Sequence, residues 1–147
     1  MYIHESLLKL VKPRGKATLF VASATDIPLA DNSVDFLIST EVMEHITNVN
    51  SAIKEMYRVA KPGAKLLLSI PNNFCFKYSR KGHHPEHVNS WSYKQFINAM
   101  SPYFRVIEGK MNGWWLPWFP NIRYSYQIGW SNFDEHYNTN FLFVLDT

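Results

Sequence analysis

The sequence predicts an α/β fold in which helices pack on a mostly parallel sheet. Short apolar runs of strand length alternate along the chain with segments of helical period, which is the order of elements in layered α/β domains. The apolar runs are nearly continuous, as in strands that are covered on both faces. The chain has 147 residues, of which 46% are hydrophobic, enough for the core of one ordinary domain. We therefore expect residues 1–147 to form a single domain.

Eight elements are predicted from these patterns. In chain order they are a helix at 3–11, strands at 18–21 and 34–39, a helix at 50–60, a strand at 64–70, a helix at 92–100, and strands at 103–108 and 140–145. The helices follow apolar side chains of period 3.6, and the strands follow apolar runs between turn residues. Pro13 and Gly15 end the first helix. Asn50 or Ser51 can cap the second helix, and Ser92 can cap the third.

Composition and charge exclude several classes of protein. The net charge is +3, and the basic residues are scattered, so we expect no nucleic-acid partner. The single cysteine, Cys75, excludes a disulfide framework within the chain and a cysteine-based zinc site. No apolar stretch reaches the length of a transmembrane helix. The sequence is that of a globular protein, for which we expect a cytoplasmic location.

Four segments in order carry a family resemblance. They are residues 23–35, residues 39–46, residues 55–72 and residues 87–92. The third reads closely to the pattern E-x-x-R-V-L-K-P-G-G-x-L, and the fourth to H-V-x-x-(F/W)-(S/T). Together they resemble the class I S-adenosylmethionine-dependent methyltransferases of the small-molecule type. Each segment alone is weak, but their order and spacing make the resemblance specific.

The resemblance implies a fold, a cofactor and a set of contacts. The fold would be a Rossmann-like sheet, mostly parallel with a final antiparallel strand. S-adenosylmethionine would lie across the carboxyl ends of the strands, where open α/β sheets bind ligands. Ser23 and Ala24 correspond to the position that contacts the adenine, and the acidic residue usual there is replaced by Ser23. Thr40 and Glu41 would lie beside the sulfonium.

One part of the family pattern is missing from the sequence. The family begins with a strand, a Gly-x-Gly-x-Gly turn and a second strand that ends in an acidic residue. Only Gly15 precedes Gly63 in this chain. We therefore expect a truncated sheet that lacks the first two strands of the family fold, and poor cofactor binding by this chain alone.

Two histidines are candidate catalytic residues. His45 follows a predicted strand and could act as a base near the methyl acceptor, or could pack and cap the next turn. His87 could face the active cleft, as the resemblance implies, or could lie in a solvated loop. Three further ligand-type side chains precede His87 within residues 83–86, but Pro85 prevents a regular helix there and no remote partner is evident. No metal site is expected.

The segment at residues 111–138 has no clean period and is rich in tryptophan. Trp114, Trp115 and Trp118 all lie within it. It is an insertion between the last two predicted strands, where family members vary and cover the acceptor. An aromatic lid could bind a lipid tail, a sugar face or an aromatic ring. The same rings could instead cover a sheet face or a subunit interface.

Two functions follow as hypotheses. The first is a methyltransferase, or its C-terminal part, that transfers a methyl group to a small-molecule or glycan acceptor. The second is a catalytically inactive subunit or scaffold of methyltransferase descent. In either case the missing strands would leave the strand at 34–39 with an unpaired edge, and such an edge invites association. We therefore expect a homodimer through the open edge of the sheet.

Overall fold

The computed structural model describes residues 18–72, 86–114, 124–128 and 138–147. For those that fall within 110–141 it describes the backbone alone. The predicted helix at 3–11 and most of the tryptophan-rich segment lie outside these ranges. Within them, no helix is both long and apolar enough to span a membrane.

The described part of the chain forms one five-stranded sheet with two α-helices. In chain order the elements are β1 (Val34–Thr40), a 3-10 turn (Met43–His45), α1 (Val49–Val59), β2 (Ala60–Pro71), α2 (Tyr93–Met100), β3 (Arg105–Trp114), β4 (Tyr124–Ile128) and β5 (Asn138–Asp146). The strands lie side by side in the order β1-β2-β5-β3-β4. This is the expected mixed α/β architecture.

The sheet combines one parallel pair with antiparallel neighbours. β1 and β2 are parallel, with Thr40 beside Ser69. β5 is antiparallel to both of its neighbours, β2 and β3. It is the antiparallel strand that the sequence predicts near the end of the chain. β4 pairs antiparallel with β3 and lies inside the predicted insertion at 111–138, so that segment contains a strand which the sequence pattern did not indicate.

Both helices begin at polar caps and bury one apolar face. The side chain of Asn48 accepts a hydrogen bond from the N–H of Ser51 and starts α1, slightly before the predicted caps. Ser92 starts α2 with a reciprocal capping box, in which its hydroxyl accepts from the N–H of Gln95 and the Gln95 side chain accepts from the N–H of Ser92. Such caps satisfy N–H groups that have no partner within the helix. The prediction of the helix at 92–100 is confirmed.

The hydrophobic core lies between the helices and one face of the sheet. Its largest fully buried side chains are Phe96, Phe143, Met43, Ile53, Leu66, Leu68, Ile70, Met100 and Leu145. Alternate residues of β2 point into this core, because successive side chains of a strand face opposite ways. Tyr93 stacks on Phe143 with ring centroids 5.2 Å apart, which ties the start of α2 to the centre of the sheet.

The predicted strand at residues 18–21 is wrong. These residues form no strand, and the side chains of Leu19, Phe20 and Val21 are exposed. A strand needs a neighbour to pair with its N–H and C=O groups, and no strand of the described ranges lies beside this segment. An apolar run by itself is therefore insufficient here.

β1 is also more exposed than its sequence predicts. It forms the edge of the described sheet, and Phe36 and Ile38 are 52% and 64% exposed. The prediction that this strand is covered on both faces is wrong for the described residues. The helices α1 and α2 cover only the opposite face, so the side chains that alternate with the buried ones face outward.

Candidate active site

The candidate site lies at the carboxyl ends of β1 and β2. These neighbouring strands are parallel, so both end at the same edge of the sheet, β1 at Thr40 and β2 at Pro71. In open α/β sheets this edge binds ligands, because strands fix the loops that follow them while leaving those loops accessible. Glu41 follows β1, and the buried Asn72 follows β2.

Glu41 turns the chain out of the sheet in a left-handed conformation. Its φ is +51°, a value that is uncommon for residues other than glycine and costs conformational energy. Two hydrogen bonds hold it there. The N–H of Glu41 donates to the backbone oxygen of Ser69 at 3.0 Å, and the hydroxyl of Ser69 donates to the Glu41 carboxylate at 2.8 Å. The end of β1 is thereby fixed to β2.

The 3-10 turn after Glu41 is tied to a remote segment of the chain. The backbone oxygen of Glu44 accepts hydrogen bonds from the N–H groups of Val88 and Asn89, at 2.9 and 3.1 Å. The side-chain amide of Asn89 donates to the backbone oxygen of Ile46. These bonds place residues 86–89 directly against the turn, so both segments contribute to the candidate site.

The two predicted catalytic histidines come together at this junction. The ring centroids of His45 and His87 are 4.9 Å apart, with an edge-to-face angle of 80°. Nδ1 of His45 lies 3.0 Å from the backbone oxygen of Glu86. Since a carbonyl oxygen can only accept, Nδ1 carries the proton, and Nε2 holds the lone pair in the neutral ring. His45 can therefore accept a proton or bind a cation through Nε2.

Glu44 is a third member of this cluster that the sequence interpretation did not include. Its side chain is 1% exposed, and burial raises the pKa of its carboxyl group because the charged form loses hydration. Oε1 of Glu44 lies 3.7 Å from Nε2 of His45. The ligand atoms of Glu44, His45 and His87 all lie within 4.8 Å of one another. The glutamate-histidine dipeptide directly after a strand end was the signal available in the sequence.

The predicted adenine-side residues lie in a separate tight turn. Ser23 forms an isolated β-bridge with Asp26, and its hydroxyl oxygen accepts from the N–H of Thr25 at 3.2 Å. Ala24 is half-buried and packs against the core. The turn is thus ordered and close to the sheet, while Ser23 remains exposed.

Arg58 anchors the loop that follows this turn. Its guanidinium donates to the backbone oxygens of Ile27 and Leu29 at 2.8 and 2.9 Å, and to the carboxylate of Asp31 at 2.6 Å. It also forms a bidentate pair with Glu55. Glu55 in turn accepts from the N–H of Ile27 at 2.9 Å. The E-x-x-R part of the family pattern thereby holds the loop 27–31 on α1.

Sequence comparison finds similarity between part of this chain and a known family. The pattern of a methyltransferase domain family matches residues 2–68. A ubiquinone/menaquinone biosynthesis C-methyltransferase, UbiE of Rickettsia felis, is 33% identical over 85 residues, covering 53% of this chain and 32% of that protein. An uncharacterised methyltransferase of Mycobacterium bovis is 45% identical over 56 residues, covering 37% of this chain and 22% of that protein. The matches thus span less than a third of either relative.

Solved structures share the fold. An S-adenosylmethionine-dependent methyltransferase from Archaeoglobus fulgidus superposes with a TM-score of 0.75 at 12% identity, covering 99% of this chain and 73% of that one. Another from Methanosarcina mazei gives a TM-score of 0.64 at 18% identity, covering 92% and 69%. At these sequence identities the similarity shows a shared fold. The sequence matches over the first half of the chain are separate support for a relationship to methyltransferases. The matched family pattern, the related sequences and the shared fold together support a class I S-adenosylmethionine-dependent methyltransferase.

Proposed function

We propose that this chain forms the acceptor side of a methyltransferase that uses S-adenosylmethionine and acts on a small-molecule or glycan acceptor. The observation that carries the proposal is the pairing of His45 with His87 at the carboxyl ends of the parallel strands. Two groups that can move protons lie at the edge where this fold class binds ligands.

The chemistry assigns distinct tasks to the residues of the site. Methyl transfer is an in-line displacement, so much of the catalysis comes from holding the acceptor in line with the methyl group. A base matters when the acceptor atom is a hydroxyl oxygen. Nε2 of His45 is suited to accept that proton, because the Glu86 carbonyl fixes the tautomer. His87 lies beside it and would orient the acceptor.

The relatives favour a small aromatic acceptor within this class. The Rickettsia felis relative is named a ubiquinone/menaquinone biosynthesis C-methyltransferase. Removing the proton of a ring hydroxyl makes the neighbouring ring carbon a nucleophile, so the same base would serve C-methylation of a phenol. We extend this acceptor class to the present chain as part of the proposal.

The residues of this chain fit the cofactor only in part. By family position Ser23 and Ala24 would contact the adenine, and Thr40 and Glu41 would lie near the sulfonium. S-adenosylmethionine would supply the methyl group. The sequence has no Gly-x-Gly-x-Gly turn before Gly63 through which backbone could approach the methionine part of the cofactor. We therefore derive no step that depends on that contact.

A methyl-transfer assay tests the proposal. The full chain is incubated with methyl-labelled S-adenosylmethionine at millimolar concentration and a panel of phenols and quinols, and the products are identified by mass spectrometry. We expect transfer to a phenolic acceptor, lost in His45→Gln and reduced in His87→Gln. Asp35→Asn, an exposed carboxylate paired with Lys61, serves as the matched control and should retain activity. Transfer that is equally fast in His45→Gln would contradict the role of His45.

A second candidate function is a non-catalytic subunit or scaffold. The observation that favours it is the exposed apolar edge strand β1, with Phe36 and Ile38 facing outward. As part of the same proposal, a second copy of the chain covers this edge to form a homodimer, because exposed strand edges pair readily. Self-association without methyl transfer or cofactor binding would favour the scaffold. A cytoplasmic location, expected from the single cysteine, stays a prediction.

A further inference from the structure

The cluster of Glu44, His45 and His87 combines donor groups that bind metal ions. One carboxylate and two imidazoles have their ligand atoms within 4.8 Å of one another. They come from two separate segments of the chain, which are joined by the bonds from Val88 and Asn89 to the Glu44 backbone oxygen. Backbone hydrogen bonds therefore hold the two segments that carry these side chains against each other.

Glu44 provides the first argument for a cation at this cluster. The side chain is 1% exposed, and among the described residues no donor forms a hydrogen bond to its Oε2. The backbone of Glu44 donates a hydrogen bond to the carboxyl group, but a buried oxygen without a donor is costly unless a positive charge or a proton compensates it. Glu41 adds a second carboxylate close enough to act on Glu44 electrostatically, which increases the attraction for a cation.

His45 provides the second argument. Its Nδ1–H donates to the Glu86 backbone oxygen, the arrangement commonly found behind metal-bound imidazoles, since it leaves the Nε2 lone pair free to bind. This lone pair lies 3.7 Å from Oε1 of Glu44. Two acceptors at that separation have no direct hydrogen bond between them. A cation bridging them would satisfy both atoms at once.

We propose that Glu44, His45 and His87 bind a divalent transition-metal ion, with zinc the best match. Zinc binds histidine nitrogens and carboxylate oxygens at about 2.0–2.2 Å, and donor atoms at those distances in a tetrahedron are about 3.3–3.6 Å apart. The 3.7 Å gap between His45 and Glu44 is close to this value, and small side-chain rotations bring in the third ligand. Nitrogen donors disfavour magnesium and calcium, which prefer oxygen ligands.

Three protein ligands leave a coordination position open. The side chain of His45 is 23% exposed, so the open position is accessible from the strand-end edge of the sheet. An ion there would act as a Lewis acid and lower the pKa of a bound water or hydroxyl group. In the proposed methyltransferase, a bound ion would occupy the Nε2 lone pair in place of the proton, and would lower the pKa of the acceptor hydroxyl so that its proton passes to water. The metal site does not depend on that function, because it requires neither cofactor nor acceptor.

Metal titration of the tag-free full chain tests this proposal. After dialysis against a chelator, Co²⁺ binding is followed by its visible absorption and Zn²⁺ binding by calorimetry, both without cofactor. We expect one ion per chain, with affinity reduced about tenfold or more in Glu44→Gln and in His87→Ala. Asp35→Asn replaces an exposed carboxylate by an amide at β1 and should bind like the wild type.

Two results would overturn the proposal. One is the absence of stoichiometric Co²⁺ or Zn²⁺ binding by a chain whose circular dichroism shows it folded. The other is wild-type affinity in Glu44→Gln and His87→Ala. In the first case a proton shared between Glu44 and His45 would be the compensating charge. Because no cofactor is present in these titrations, failure of methyl transfer leaves the metal site unaffected, and failure of metal binding leaves the methyl-transfer assay valid.

Discussion

Arg58 holds both carboxylate oxygens of Glu55, with Nε donating to Oε1 and Nη2 to Oε2, each at 2.8 Å. The two residues lie one turn apart on α1. The remaining hydrogen bonds of the Arg58 guanidinium hold the loop 27–31 against this helix. Planar two-point contacts of this kind are more specific than a single ion pair. The pair therefore links the E-x-x-R pattern to the position of the candidate adenine-side turn.

This pair predicts an acid-sensitive contribution to stability. The hydrogen bonds from Arg58, and next the N–H of Ile27, lower the pKa of Glu55 from 4.5 to about 2. A group whose pKa falls on folding stabilises the native state above its unfolded pKa, and this contribution is lost as the pH falls to the folded value. We expect the urea midpoint of the wild type to exceed that of Glu55→Gln above pH 4.5, and the difference to shrink towards pH 2.

The control for this experiment is Asp35→Asn, which removes an exposed carboxylate from its ion pair with Lys61. Exposed pairs contribute little, so its midpoint should stay close to that of the wild type throughout the titration. A constant difference between the wild type and Glu55→Gln from pH 7 to pH 2 would refute the role of the Arg58 pair.

The capping box of α2 predicts a matched pair of variants. Ser92→Ala removes the hydroxyl that accepts from the N–H of Gln95, and we expect a loss of about 1 kcal/mol in the free energy of unfolding. Ser92→Asp keeps a capping oxygen and should lie near the wild type. Urea denaturation followed by circular dichroism measures both. Equal losses in the two variants would show that the cap itself is unimportant.

The edge strand predicts self-association. Ile38 is 64% exposed on β1, so Ile38→Lys places a charge on the edge that we propose is covered by a second copy. Sedimentation velocity at micromolar concentration should show a dimer for the wild type and a monomer for this variant. Ile107→Lys is the control, because Ile107 is similarly exposed at 50% but lies on β3, separated from β1 by two strands. A monomeric wild type would contradict the prediction.

Because residues 1–147 contain no Gly-x-Gly-x-Gly sequence, we predict that they bind the cofactor weakly. Calorimetry with S-adenosylmethionine and with its demethylated product should give dissociation constants well above the micromolar range for residues 1–147. The reason is that backbone N–H groups of a glycine-rich turn and an acidic residue at a strand end normally hold the cofactor in dinucleotide-binding folds. Micromolar or tighter binding would mean that other residues of this chain replace those contacts.

The sequence predicts those elements that depend on local signals. The helix at 92–100 is confirmed because Ser92 and Gln95 have the spacing of a capping box, which acts within one helical turn. The strand-end position of Thr40 follows in the same way from the apolar run before it. The predicted ends of strands are less accurate. β3 extends to Trp114, beyond the predicted end at Glu108, because it pairs with β5 over its whole length.

Elements that depend on remote neighbours are not predictable in this way. Residues 18–21 have the composition of a strand, yet hydrogen-bonding partners decide whether a strand forms. The site shows the same limit. His45 and His87 were identified from their motifs, but their contact with each other and with Glu44 rests on the bonds from residues 88 and 89. Nothing in the local sequence specifies that pairing.

The position of β5 in the sheet has a consequence for biosynthesis. This strand lies between β2 and β3, and Thr147 after it accepts from the N–H of Gly63 and donates to the backbone oxygen of Lys61. Ribosomes add about 5–20 residues per second, so β2 emerges several seconds before its central partner is made. During that interval β2, which carries Leu66, Leu68 and Ile70, has no β5 to pair with. A premature stop codon shortly before residue 138 would remove the strand that joins β2 to β3, and we expect such a chain to lose the sheet.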